Sequence, residues 1–206
     1  MNPIVKICGI TRIEDALFAQ ELGASAIGFV MYPKSPRYIA PDDAARISDR
    51  LKPYIVRVGV FVDEAPGVVM DAVGKAGLTA VQLHGSEDAA YIRGLGNIRV
   101  IKAFRVGSDF DESMLDGMNA GAFLLDAWSP DMHGGTGATF DWSIAVALAR
   151  KHRIMLAGGL RPSNIRSAVE TVRPWGVDVS SGVESDPGVK DHEKMRALFH
   201  ALEGIE

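Results

Sequence analysis

The chain contains a single cysteine, Cys8, among its 206 residues. A lone thiol cannot close an internal disulfide, so a stapled secreted scaffold is excluded and a reducing compartment fits better. Long apolar runs are also missing: nothing approaches the ~20 residues that cross a bilayer. The opening MNPIVKICGI lacks the basic stretch, apolar run and small-residue cleavage site of a signal peptide, and reads straight into a strand. These absences predict a cytoplasmic protein with no membrane partner. Positive charge is scarce, with 22 Lys and Arg against 26 Asp and Glu. The net charge of -4 offers no basic field for a polyanion backbone, which argues against nucleic acid as a partner. The five histidines have no HExxH-type spacing and no second cysteine beside them, so no metal site is expected. No Pro/Gly/Ser linker divides the chain, and one domain spanning 1–206 is the default at this length.

What the sequence does have is repetition. Short β-branched runs recur at 4–8, 26–30, 56–62, 80–84, 99–104, 122–126, 154–158 and 176–180. Helix-like stretches at 14–22, 41–51 and 142–152 fall between them, with apolar residues every three or four positions. Thr11 and Glu14 have the spacing of a capping box, and Gly23 sits where a C-terminal cap belongs. Strand starts lie about 20 to 32 residues apart, room for one helix per parallel crossover. Eight βα units predict a closed (β/α)8 TIM barrel of the α/β class. An open doubly wound sheet usually carries fewer strands and a GxGxxG turn after the first, where this chain reads CGIT.

In a barrel of this kind the active site is built where the strands end. AGGL at 157–160 and SSGVE at 180–184 end the last two strands with glycine-rich turns. Their exposed backbone N–H groups would make an anion cradle from Gly158, Gly159, Ser181 and Gly182, and phosphate is the expected occupant. Cys8 ends the first strand, where a thiol acts as base or nucleophile, or packs as a small hydrophobe. Base work calls for a nearby cation to lower its pKa. Strand alternation puts Lys6 on the same face, with Asp178 on the neighbouring eighth strand to keep the ammonium paired. Asp126 closes the apolar run FLLD, a setting that favours a protonated carboxyl and suits a general acid; capping of the next loop is the alternative. The loop at 127–137 is long and glycine-rich and can fold over a ligand, with Gly135 as a contact. Arg37, on a loop restrained by two prolines, offers a planar fork to a carboxylate. His84 could orient substrate or be a buried imidazole satisfied through both nitrogens, and the sequence names no partner for it.

KICGIT (6–11), SPRYI (35–39), GVFVD (59–63), QLHG (82–85), LLDAWSP (124–130), GGTGATFDW (134–142), LAGGLRPSN (156–164) and DVSSGVE (178–184) together resemble the phosphoribosylanthranilate isomerase family, in register over nearly the whole chain. The resemblance implies an Amadori rearrangement of N-(5-phosphoribosyl)anthranilate in tryptophan biosynthesis, without a cofactor. It implies Asp126 as the acid that protonates the furanose oxygen and Cys8 as the base at C2. Arg37 would meet the anthranilate carboxylate, and the two glycine-rich turns would hold the phosphate. One departure is Ala138, where many members carry a lysine after GGTG. Two alternatives are a non-catalytic sugar-phosphate sensor and the related isomerase of histidine biosynthesis, whose substrate has two phosphates. The latter needs a second cradle, yet the turns at 62–67 and 84–88 are acidic. The assembly is expected to be a monomer or a homodimer.

Overall fold

In the computed structural model, which describes residues 3–107, 109–126 and 142–205, eight parallel strands close into a barrel in sequential order. They are β1 (Ile4–Cys8), β2 (Ala26–Val30), β3 (Val56–Phe61), β4 (Ala80–Leu83), β5 (Arg99–Arg105), β6 (Ala122–Asp126), β7 (Ile154–Ala157) and β8 (Gly176–Val179). Closure is by β1 pairing with β8, Lys6 opposite Asp178. Each strand matches an expected run to within a residue at either end.

Helices α1 (Ile13–Glu21), α2 (Pro41–Ser48), α3 (Pro66–Ala76), α4 (Ala89–Gly94), α5 (Trp142–Ala149), α6 (Ile165–Val172) and α7 (His192–Ala201) lie between or after the strands. Their ends follow local chemistry. Proline occupies the first turn of α2 and α3, where a missing N–H costs nothing. Asp88 and Asp191 cap α4 and α7 by accepting from backbone N–H groups. The capping box expected for α1 does not form. Its N-cap is Arg12, without a side-chain cap. Thr11 instead donates to the Gly188 carbonyl, a bond between residues far apart in sequence that the capping pattern could not foresee.

The crossover from β5 to β6 also departs from one helix per unit. Among its described residues it contains only a 3-10 turn, Glu112–Leu115, because the sequence over 107–121 is rich in Asp and Gly, poor helix formers. After β8 the chain makes a second 3-10 turn, Ser181–Val183, and a small antiparallel hairpin, β9 (Glu184–Asp186) with β10 (Val189–Lys190).

Alternation along the strands sorts side chains into two layers. One set, including Ala26, Val58, Ile101, Leu124 and Met155, fills the barrel interior. The other, including Ile7, Phe29, Leu83, Leu125 and Val177, packs under the helices. Charge is admitted to the interior only in compensated form. Lys6 is fully buried and bonded to Asp178. On the outer side of β5, Lys102 pairs with Glu87 at 2.8 Å and donates to the Gly85 carbonyl at 2.6 Å. Glu87 in turn accepts from the backbone of Asp63 and Gly85, which ties the turns after β3 and β4 together. The acidity of those turns is therefore spent on internal structure.

Candidate active site

A cavity of about 490 Å³ opens at the C-terminal ends of the strands. Its walls include Cys8, Arg37, His84, Asp126, the Gly158–Gly159 turn and Ser181–Gly182, so the expected site residues that are described converge on one space. Gly135 and Ala138 lie outside the described residues. A larger cavity, about 580 Å³, sits among Pro3, His152, Arg153, Arg173 and Trp175. It holds neither the thiol and carboxylate nor the glycine-rich turns, so volume does not locate the chemistry here.

Cys8 lies over the Lys6–Asp178 pair, in which Nζ is 2.8 Å from Oδ1. All three share the inward face, and Gly28 on β2, opposite Cys8 in register, makes room for them. A Cβ on Gly28 would come within 2.7 Å of the Cys8 sulfur and 3.0 Å of the Lys6 Nζ. A glycine inside a strand signals such close approach, and AIGFV carried that signal. Lys6 acts on the thiol in the expected direction, but the expectation that the thiol's pKa ends below its ordinary value is corrected by the environment. Burial pushes the Cys8 thiol up and the negative charge of Asp178 adds to it. Lys6 and Lys190 pull it down without reversing the sign. For Lys6, burial acts to lower the pKa, but Asp178 and Cys8 outweigh it, and the ammonium is held above its ordinary value.

Asp126 and His84 face each other across the mouth, Oδ2 to Nε2 at 3.4 Å, each side chain about one-fifth exposed. The backbone N–H of His84 donates to the Phe61 carbonyl at 2.8 Å, which seats the residue immediately after β4. Its Nδ1 is 3.4 Å from the Gln82 amide nitrogen. Thus the partner that sequence could not supply for His84 is the carboxylate that ends β6, two strands away.

Arg37 is not a free fork. Its Nε donates to both oxygens of Glu184 at 2.9 and 3.1 Å, and its Nη2 donates to Oε2 at 2.6 Å. The same carboxylate accepts from Lys190 Nζ at 2.7 Å. Burial would raise the Glu184 pKa, but the bonds from Arg37 and Lys190 hold the carboxyl below its ordinary range. Gly9, with φ of +73°, lets the Arg37 stem pass, since a Cβ there would meet Cδ at 2.7 Å. Glu184 stood inside the SSGVE motif, yet its partner lies 147 residues away, and only the closed barrel joins them.

Next to this cluster lie the two glycine-rich turns. Gly158 and Gly159 take φ of +86° and +64°. The Asn164 side chain braces their turn by donating to the Gly159 carbonyl at 3.0 Å and accepting from the Arg161 N–H at 2.9 Å. Gly182 packs onto the Leu160 carbonyl so closely that a Cβ would overlap it. Among the described residues the backbone N–H groups of Gly158, Gly159, Ser181 and Gly182 have no hydrogen-bond acceptor, which leaves a set of donors suited to a phosphate.

Fold and mouth together define a (β/α)8-barrel enzyme for a small anionic substrate. The sequence matches the N-(5'phosphoribosyl)anthranilate (PRA) isomerase family over residues 5–201, and the chain belongs to that family. An N-(5'-phosphoribosyl)anthranilate isomerase of Geobacter sp. (strain M21) is 54% identical over 192 residues, covering 93% of this chain and 94% of the relative. The crystal structure of phosphoribosyl anthranilate isomerase from Thermotoga maritima superposes with a TM-score of 0.90 at 48% identity, covering 100% of both chains. A structure of the isomerase in complex with reduced 1-(o-carboxyphenylamino)-1-deoxyribulose 5-phosphate superposes with a TM-score of 0.88 at 47% identity, again covering 100% of both.

Proposed function

We propose that the chain catalyses the Amadori rearrangement of N-(5-phosphoribosyl)anthranilate to 1-(2-carboxyphenylamino)-1-deoxyribulose 5-phosphate, a step of tryptophan biosynthesis, with Asp126 as general acid and Cys8 as general base. The observation that carries this reading is the placement of both groups in one mouth beside an anion cradle. β1 and β6 stand apart around the barrel, so acid and base can address different atoms of one bound sugar. Asp126 delivers a proton to the furanose oxygen as the C1–O bond breaks, and the anthranilate nitrogen supplies the electron pair of the resulting Schiff base. The Cys8 thiolate removes the C2 proton, and the electrons of that bond neutralise the iminium to give an enolamine, which tautomerises to the ketone. Gly158, Gly159, Ser181 and Gly182 hold the phosphate, with Gly135 as a further substrate-binding residue. Arg37 binds the anthranilate carboxylate, and His84 orients the Asp126 carboxyl. No cofactor takes part in any of these proton transfers. The enzyme works in the cytoplasm as a monomer or homodimer, without a nucleic-acid or membrane partner.

The test mixes the protein with freshly generated phosphoribosylanthranilate and follows the loss of substrate fluorescence, with spontaneous decay subtracted. Wild type should turn over rapidly. Cys8→Ala and Asp126→Asn should each lose about 10²- to 10⁴-fold, the usual worth of a positioned acid or base, while still binding product. A folded wild type that binds a sugar phosphate without turnover overturns the reading and favours a sensor.

A further inference from the structure

The Arg37–Glu184 contact is a constraint on the arginine as well as an ion pair. Glu184 occupies the Nε–Nη2 edge of the guanidinium, the edge that most readily grips a carboxylate in a two-pronged way. Nη1 has no hydrogen-bond partner among the described residues, so the face left for a ligand is the Nη1–Nη2 end. Its direction is set by a carboxylate whose side chain is only 5% exposed and is itself held on a second side by Lys190. Gly188 adds a backbone N–H to the same oxygen at 3.3 Å.

Lys190 extends this cluster to the neighbouring cradle turn. Besides Glu184, its ammonium donates to the Ser180 carbonyl at 3.2 Å. Ser180 is the N-cap of the 3-10 turn that presents Ser181 and Gly182. One chain of contacts therefore joins the guanidinium through Glu184 and Lys190 to the cradle turn. A ligand with two anionic ends needs those anchors at a set separation, and flexible surface charges could not hold it.

We infer that Glu184 is a positioning residue that, with Lys190, sets the orientation of Arg37 and its spacing from the phosphate cradle, and so selects ligands with a carboxylate at a fixed distance from a phosphate. The inference rests on the proposed role of Arg37. Glu184 touches no reacting atom. It acts by denying Arg37 alternative rotamers and by choosing which edge of the guanidinium meets the ligand.

Binding is measured by calorimetry with three probes: reduced 1-(o-carboxyphenylamino)-1-deoxyribulose 5-phosphate, the same compound lacking the carboxylate, and inorganic phosphate. Glu184→Gln should weaken the first probe by roughly ten- to a hundredfold, the range for one charge-assisted hydrogen bond, and leave the other two within about twofold. In turnover the loss should fall on KM more than on kcat. Because Glu184→Gln leaves the buried Lys190 and the quarter-exposed Arg37 without a counter-charge, the double variant Glu184→Gln/Lys190→Met is tested alongside, and should show the same loss of discrimination between the first two probes, a ratio from which any change in the cradle cancels, with part of its melting temperature restored. Glu184→Asp, which keeps the charge, should recover part of the affinity. Equal weakening of all three probes, or no weakening of the first, overturns the inference. Arg37→Met separates it from the reading beneath it. If that variant still distinguishes the first two probes, the role of Arg37 itself is wrong. If it does not and Glu184→Gln still does, only the positioning role falls.

Discussion

Lys6 and Asp178 meet across the seam that closes the barrel, Nζ 2.8 Å from Oδ1, directly beneath the Cys8 thiol. The pair puts a cation and an anion next to a sulfur that burial already holds in its neutral form. The thiolate that the proposed base role calls for must therefore be generated against its surroundings, with Lys6 helping and Asp178 opposing. The kcat/KM profile of the wild type should accordingly rise with pH on the alkaline side of neutrality. Lys6→Met removes the nearest stabiliser of the thiolate and should move that limb to higher pH. Lys6→Met/Asp178→Asn removes both charges and keeps the test valid if the single variant folds poorly. An identical limb in wild type and variants would show that Lys6 does not tune the thiol.

The same raised thiol makes a prediction about stability. A folded-state pKa above the unfolded one means that the folded chain holds the proton more tightly. The thiol's contribution is then complete below the unfolded value and is lost as pH rises toward the folded one. Urea melts of wild type should weaken as pH climbs through this alkaline window, and Cys8→Ala should lose less over the same range. Parallel curves for the two proteins would contradict the raised thiol.

Gly28 offers a steric test of the cluster. A Cβ would press on the Cys8 sulfur at 2.7 Å and on Lys6 Nζ at 3.0 Å. Gly28→Ala should cost about 1–3 kcal/mol, as overpacking does, and depress turnover further than stability alone explains. Gly74, inside α3 with nothing within 4 Å of its added Cβ, is the control. There alanine should stabilise by roughly 0.5–1 kcal/mol through helix propensity. Thermal melts and assays of both variants decide it, and an active, unperturbed Gly28→Ala would place the sulfur elsewhere.

For the acid, the decisive neighbour is His84, whose Nε2 stands 3.4 Å from Asp126 Oδ2. His84→Ala should lower kcat by roughly ten- to a hundredfold, since a contact this long in the free protein would tighten to a charge-assisted hydrogen bond with substrate bound, and with little change in the melting temperature. An unchanged kcat would reduce His84 to a wall of the cavity.

Much of this was legible beforehand. Short β-branched runs located all eight strands, because parallel strands buried on both faces are built from near-continuous apolar residues. Cys8, Asp126 and the glycine-rich turns stood out as residues at strand ends where the barrel gathers its chemistry. Local signals failed where a distant partner won. Thr11 had the spacing of a cap but bonds Gly188, and the described residues of the β5–β6 crossover form a 3-10 turn where the repeat suggested a helix.

The sequence alone determined the repeat, the order of the strands and the identity of the groups that reach the mouth, since these depend on periodicity and on interactions between near neighbours. Only the tertiary structure decided the partners. Glu184 for Arg37, Asp126 for His84, and Asp178 beneath the Cys8 thiol are relations between residues on different strands and loops. The direction of the thiol's pKa shift was decided there as well. It is the balance of burial against two opposite charges, and that balance exists only once β8 has closed against β1.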